Sequence, residues 1–235
     1  MTRRPSADGS GRPAYAVIVT KGACNVNFLS PDSKFMQELR NLTDAIWINI
    51  LMIVTSIPVI TIGAAITAAH DASRRALQGE AGGVTANYFK AFRTNFVKST
   101  VLWAVFGITG AALAYAWVVL QITPLLIPKF GLTIVWMIGF EWVFALQARF
   151  ENSVGRTLMN AFVFGVSRIL LTSGMIVIDV VWLGLLAACW FYFPQGLFLL
   201  VVMGYGTMIL CHIPLLERGL TKYLKSDADG GAKGE

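Results

Sequence analysis

The sequence carries little charge for its length, and this excludes most classes of soluble protein. Of its 235 residues, 14% are charged and 56% are hydrophobic, whereas a soluble domain is nearer to about 25% charged and about 45–50% apolar. So few charged side chains leave too little polar surface to cover a water-soluble globule. An ordinary soluble enzyme, a disordered chain and a collagen-like chain are therefore excluded, and the composition predicts a polytopic membrane protein.

Cysteine and histidine are also scarce. The three cysteines include no CxxC pair, which excludes a disulfide framework and a zinc ribbon. The two histidines, His70 and His212, are too few for a multi-histidine metal site, and the sequence contains no HExxH, GxSxG or glycine-rich phosphate loop. We therefore expect a protein that is not an enzyme, with no catalytic residue, no cofactor and no bound metal.

Four long apolar runs predict membrane-spanning helices. A helix needs about 20 mostly apolar residues to cross a hydrocarbon core that is about 30 Å thick. Four runs meet this requirement, and none of them carries more than one acidic or basic residue: 101–120, 130–148, 169–190 and 197–215.

A further apolar region, 42–70, precedes these four. It is too long for one untilted span and too short for two full-length spans. Pro58 lies near its middle and lacks the N–H that a helix interior needs, and Gly63 follows. These residues predict a helix break between a first piece, 35–56, and a second piece, 59–77. The predicted fold is all-α, with five to six membrane-embedded segments and a Pro-broken first hairpin.

The distribution of lysine and arginine favours the hairpin. Positive residues collect in short cytoplasmic loops, and all of the 19 except Lys129 fall on one side if the first region enters and leaves on the same face. Both termini are then cytoplasmic, in a multi-pass protein of a bacterial plasma membrane. A five-span alternative remains open, because long N-terminal tails can cross regardless of charge. The positive residues are spread over separate loops, so no nucleic-acid partner is expected.

Both ends of the chain differ in composition from the apolar middle. Residues 1–24 are rich in glycine, proline, serine and arginine and contain no secretory signal peptide, and residues 226–235 are small, polar and charged. We expect a disordered N-terminal extension over 1–24, a helical membrane domain over 25–225 and a disordered tail over 226–235. A start codon assigned too early would also account for the first segment.

Two carboxylates at membrane depth are the sharpest candidates for a functional site. Glu141 lies within the apolar run 130–148 and Asp179 within the run 169–190. An acidic side chain at the bilayer centre costs roughly 2.5–3.5 kcal/mol on insertion scales, so each should face protein or water. They could form a proton relay or a polar solute site. Alternatively, each could be protonated or paired with a hydroxyl, an amide or an arginine such as Arg149.

The segment 84–100, between the first two apolar regions, carries an aromatic stripe. Its aromatic residues repeat at three- and four-residue spacing, which predicts a loop helix that lies in the membrane interface. This loop is also a candidate site for docking a partner, through Phe89, Phe92, Arg93 and Phe96. The second such loop, 149–168, is expected to continue the helix before it into the cytoplasm.

Several stretches of the sequence resemble a known family, over about residues 25–225. The most specific are the Pro-Val-Ile-Thr-Ile-Gly break, 58–63, and the Phe-Lys-Ala-Phe-Arg stretch, 89–93, accompanied by Asn-Phe at 27–28, Ser-Pro-Asp-Ser-Lys-Phe-Met at 30–36 and Arg-Phe-Glu-Asn at 149–152. The chain resembles the YesL-like family of uncharacterised bacterial integral membrane proteins. The resemblance implies a small helical plasma-membrane protein, often encoded near carbohydrate ABC transporters and their regulators, and it carries over no catalytic or binding residue.

Two functions follow as hypotheses. The first is a non-enzymatic accessory to carbohydrate uptake or sensing, with the lipid bilayer around it and a carbohydrate ABC transporter or a sensor kinase as its partner. The alternative is a small transporter or channel that uses Glu141 and Asp179, because interrupted helices at membrane depth often border solute sites.

Overall fold

The computed structural model describes residues 33–80 and 82–231, which are almost entirely helical. Seven α-helices follow one another in these ranges, with a short 3-10 helix before α2 (Val59–Thr61) and another before α4 (Thr123–Leu125). They are α1 (Lys34–Thr55), α2 (Ile62–Leu77), α3 (Val84–Val119), α4 (Leu126–Arg149), α5 (Val154–Ser167), α6 (Ile169–Tyr192) and α7 (Pro194–Gly231). The predicted extension 1–24 lies outside the described residues, and α7 continues into the segment that was predicted as a tail.

Four helices are long and apolar enough to cross a membrane. They are α3, α4 with the 3-10 turn before it, α6, and α7 as far as Thr221. Each covers one of the four apolar runs found in the sequence, α3 all but its last residue, so the predicted all-α class and the four candidate spans are confirmed for the described residues. The helices α1 and α2 do not meet the same criteria of length and apolarity, and the predicted count of five to six segments stays a prediction.

The helix break around Pro58 is present where the sequence places it. The helix α1 ends at Thr55, and α2 begins at Ile62 after the short 3-10 turn. The hydroxyl of Thr61 donates to the backbone carbonyls of Thr55 and Pro58, at 2.5 and 2.6 Å. The Pro58 carbonyl also accepts from the backbone N–H of Thr61 at 2.9 Å, so the single hydroxyl proton can serve the Thr55 carbonyl at the end of α1. That this break turns α1 and α2 into a membrane hairpin stays a prediction.

The helix α2 lies at the centre of the described bundle, packed against α3, α4 and α7. Every residue from Gly63 to Ser73 is buried. A Cβ added at Gly63 would overlap the backbone oxygen of Ser99 and lie 2.6 Å from the Cβ of Trp103. The small side chains of α2 therefore allow close backbone approach within this chain.

The α4–α5 hairpin departs from the sequence prediction. We expected 149–168 to continue the preceding helix, but α4 ends at Arg149 and α5 begins at Val154. The hydroxyl of Thr157 on α5 bonds to Gln147 on α4 at 3.2 Å, so α5 folds back along α4. The continuation was wrong because residues 150–153 are not helical, and the turn they make lets α5 bury Ala161 and Gly165 in packing against α4.

The segment 84–100 is likewise not a separate loop. It forms the first turns of α3, in one helix with the apolar run that follows. Tyr88 is fully buried, and its hydroxyl is 2.6 Å from that of Thr55 on α1. The aromatic stripe is therefore partly used for packing inside the bundle.

The last membrane helix, α7, is interrupted at Gly204, which has non-helical dihedrals (φ 14°, ψ −138°). The side chain of Asn49 on α1 lies against this break. Its Nδ2 donates to the carbonyls of Val201 and Val202, both at 2.8 Å, and its Oδ1 accepts from the N–H of Gly206 at 3.2 Å. One amide side chain thus binds backbone groups on both sides of the interruption.

Replacing Gly63 by leucine should destabilise the whole bundle. The added side chain would collide with backbone of α3, and overpacking of this kind costs about 1–3 kcal/mol. We expect a lower thermal unfolding midpoint for the detergent-purified protein, followed by intrinsic fluorescence. Gly155→Leu on α5 is the control, because a Cβ there meets nothing within 4 Å. Equal midpoints for the two variants would contradict the close approach of α2 and α3.

Replacing Asn49 by alanine should loosen α7 locally. The backbone groups around Gly204 would lose their partner, and a buried unpaired group costs about 1–3 kcal/mol. We expect faster amide hydrogen exchange, measured by mass spectrometry, in peptides that contain Gly206. Asn160→Ala on α5 serves as the control. Unchanged exchange at Gly206 in the Asn49 variant would show that the break does not depend on this amide.

Candidate functional site

Three ionisable side chains from three of the candidate membrane-spanning helices converge at one point. Glu141 comes from α4, Asp179 from α6 and His212 from α7, and one ligand-capable atom of each lies within 4.8 Å of the others. His212 Nε2 is 3.3 Å from Asp179 Oδ1, and His212 Nδ1 is 3.9 Å from Glu141 Oε2. The imidazole therefore stands between the two carboxylates.

The cluster is largely withdrawn from the surface of the bundle. The side chains of Glu141, Asp179 and His212 are 8%, 19% and 3% exposed. Asp179 Oδ1 and His212 Nε2 are buried and have no hydrogen-bond partner, although they face each other. A buried polar atom without a partner costs free energy, so this arrangement calls for a proton, a water molecule or an ion between the two groups.

The pairing of α6 with α7 explains how Asp179 and His212 meet. Leu171 of α6 lies near Gly219 of α7, and Gly174 lies near Leu215. The two helices therefore run in opposite directions, and Asp179 falls beside the stretch of α7 that contains His212. Each helix is otherwise apolar here, so the ionisable side chains avoid lipid by turning toward the interior of the bundle.

Packing of α4 against α5 and α6 positions Glu141. Its neighbour Trp142 is fully buried, and Trp142 Nε1 donates to the hydroxyl of Thr172 on α6 at 2.9 Å. The Thr172 hydroxyl also reaches the carbonyl of Gly165 on α5, again at 2.9 Å. This buried chain of hydrogen bonds fixes the rotation of α4 and so directs Glu141 toward α6 and α7.

A cavity of about 420 Å³ adjoins the ionisable cluster. It lies among α1, α4, α6 and α7, and most of its wall is aromatic or aliphatic. Its polar residues are the two carboxylates, Asn49, and Tyr205 beside the break at Gly204. Concave, mainly apolar spaces with a few converging polar groups are typical of small-molecule sites.

The structure brings the two predicted carboxylates together and adds His212, which was not among the partners considered for them. Arg149, one of several partners considered for the carboxylates, instead forms an ion pair with Glu217 on α7. Arg149 is the last residue of α4, two turns beyond Glu141.

The predicted docking residues lie on the first turns of α3. Phe89 is 41% exposed and Arg93 is exposed, whereas Phe92 and Phe96 are half-buried. Phe92 stacks on Tyr88 with ring centroids 6.4 Å apart and contacts Phe96 at 5.5 Å. The free part of this surface is therefore narrower than the four-residue stripe, and its use for docking stays a prediction.

His212 and Gly204 are the site residues that the sequence analysis missed. His212 was noted only as one of two histidines, too few for a multi-histidine metal site. A histidine inside an apolar span deserves the weight given to a carboxylate there, because both are costly in lipid. Gly204 carried no signal comparable with Pro58, since a single glycine within an apolar run does not by itself indicate a helix break.

Comparison with known proteins covers the first part of the bundle. Residues 45–117 match the model of a family described as "Protein of unknown function, DUF624". No curated protein and no solved structure matches the chain. The matched range includes Asn49, Pro58 and the start of α3, but it ends before the helices that carry the ionisable cluster. This chain is thus similar, over residues 45–117, to an uncharacterised protein family.

Proposed function

We propose that this protein is a small cation-coupled membrane transporter. The observation that carries the proposal is the convergence of Glu141, Asp179 and His212 inside a set of membrane-spanning helices. Ionisable residues at membrane depth usually mark ion pathways, proton relays or substrate sites, because burying them without use is costly. Under this proposal the cluster binds the cation, and the adjoining cavity holds the solute that moves with it.

The cavity supports this division of roles. Glu141 and Asp179 line one part of its wall, while Trp136, Trp182 and Leu183 are among the residues that line the rest. A solute with an apolar body and a polar end fits this lining. Its polar end would lie near the bound cation, so that the binding of one favours the binding of the other.

The interrupted helix α7 supports movement at the site. Many transporters bind their ions and substrates beside helices that are broken near the bilayer midplane. Gly204 and Tyr205 line the same cavity as the carboxylates. The two parts of α7 on either side of Gly204 can therefore change their relative angle while Asn49 keeps the freed backbone groups paired.

The setting of this activity is also part of the proposal. The resemblance to the YesL-like family supports a bacterial plasma membrane, and the distribution of positive residues supports cytoplasmic termini. With α1 and α2 as a hairpin, the number of embedded segments is six. Reporters after Lys21 and within 79–83 should lie on the same face, and reporters on opposite faces would overturn the hairpin.

Neutralising the carboxylates should abolish transport. We expect liposomes that contain the purified protein to show a cation flux, reported by trapped pyranine for protons and by a trapped zinc indicator for Zn²⁺. Glu141→Gln and Asp179→Asn each keep the side-chain size and remove a charge, and each should reduce the flux to that of protein-free liposomes.

The matched control is Glu151→Gln, since Glu151 is an exposed carboxylate outside the spanning helices. It should leave the flux unchanged, and all three variants should elute as a single species from gel filtration. A wild-type protein that passes neither cation, or site variants that keep the full flux, would overturn the transporter.

An accessory role is the second candidate, favoured by the exposed Phe89 and Arg93 at the start of α3. An aromatic ring next to an arginine is a common anchor at protein interfaces. We propose as its partner a carbohydrate ABC transporter or a sensor kinase, bound without any enzymatic step by this chain.

A pull-down separates the two functions. The tagged protein, taken from native membranes into lipid nanodiscs, should retain a permease or kinase in stoichiometric amount under the accessory role. Phe89→Ala with Arg93→Ala should release that partner, and Glu141→Gln should keep it. A protein that purifies without a partner would exclude the accessory role and leave the transporter unaffected.

A further inference from the structure

We infer that Glu141, Asp179 and His212 form a binding site for one divalent transition-metal cation of the zinc class, open on the side of the cavity. The inference rests on the proposed function only in that the metal would be the coupled cation. Binding itself needs nothing beyond the three side chains and can be tested without any transport.

The separation of the side chains suits a single metal ion. Bonds from zinc to nitrogen and oxygen are about 2.0–2.2 Å, which places two ligand atoms of a tetrahedral ion roughly 3.3–3.6 Å apart. His212 Nε2 and Asp179 Oδ1 are 3.3 Å apart, and the whole group of three ligand atoms fits within 4.8 Å. Glu141 Oε2 lies 3.9 Å from the other ring nitrogen, His212 Nδ1, so the Glu141 side chain has to rotate to bind the same ion.

Two of these atoms are already free to act as ligands. His212 is 3% exposed, and its Nε2 is buried without a hydrogen-bond partner, as is Asp179 Oδ1. A buried imidazole nitrogen and a buried carboxylate oxygen, both without a hydrogen-bond partner, are atoms that a metal ion can bind.

Charge balance also favours a divalent cation. Two carboxylates that are both ionised in an apolar environment repel each other and lose hydration, so the pair requires either a proton or a compensating cation. A divalent ion with a neutral imidazole makes the cluster electrically neutral. Arg149, whose charge could have served, is paired with Glu217 instead.

The ligand set selects among divalent ions. Magnesium and calcium take oxygen ligands, usually six or more, whereas imidazole nitrogen with carboxylate oxygen suits zinc and its first-row neighbours. Three protein ligands with one open position are typical of zinc sites that also hold a water molecule or a substrate. Here the carboxylates line the cavity, so the open position faces the space proposed for the solute.

The test is titration of the metal-free protein with Zn²⁺ by calorimetry. The full chain, purified without a histidine tag, is stripped with a chelator and placed in phosphatidylcholine nanodiscs, with empty nanodiscs subtracted. We expect one Zn²⁺ bound per chain and no binding of Mg²⁺. His212→Gln and Asp179→Asn should each weaken the affinity for Zn²⁺ by at least about tenfold. The loss of a residue that only supports a metal ligand already weakens affinity by about that factor, and these variants remove the ligand itself.

The matched control is His70→Gln, which removes the other histidine, also buried but on α2. It should retain the wild-type affinity. A wild-type protein that binds no Zn²⁺, or a His212→Gln variant that binds it as tightly as His70→Gln does, would overturn the site.

A second measurement does not depend on variants that fold. The X-ray absorption spectrum of the zinc-loaded wild type should show nitrogen and oxygen ligands with the scattering pattern of one imidazole. Sulfur ligands, or no imidazole, would overturn the assignment. Zinc binding without flux would contradict the transporter but support this site. Proton flux without zinc binding would support the transporter but contradict this site.

Discussion

The close packing of small side chains along α2 is the constraint on which the rest of the structure depends. Ala64, Ala65, Ala68 and Ala69 have no exposed surface, and Gly63 leaves no room for a Cβ. Lipid provides no hydrophobic force between helices, so association in a membrane depends on packing and buried hydrogen bonds. Because its side chains are small, α2 lets α3, α4 and α7 pack closely against it. This packing determines which faces of those three helices point inward.

Those inward faces carry the polar groups that lipid excludes. Glu141, Asp179 and His212 lie within the apolar runs of their helices, and each turns inward to the same point because an ionisable side chain is costly in lipid. The buried Trp142–Thr172 hydrogen bond and the antiparallel pairing of α6 with α7 hold the three helices in register. The ionisable site is therefore a consequence of the same packing that forms the bundle, and an ion or a proton in the site would contribute to its stability.

The two helix breaks are stabilised in different ways. At Pro58 the chain satisfies its own backbone, through the hydroxyl of the nearby Thr61. At Gly204 the partner comes from another helix, through Asn49 on α1. Since Asn49 lies within the range that matches the uncharacterised family and Gly204 lies outside it, the family match covers one half of this contact.

The sequence by itself determined the all-α class, the four long apolar helices, the break at Pro58 and two of the three ionisable residues. Each of these follows from local physics: the length of apolar runs, the missing N–H of proline, and the cost of a carboxylate in lipid. Tertiary structure alone decided that Glu141 and Asp179 meet, that His212 joins them, that Arg149 pairs with Glu217, and that α7 breaks at Gly204. Those outcomes depend on which helices are neighbours and how each is rotated, and both depend on contacts between residues far apart in the chain.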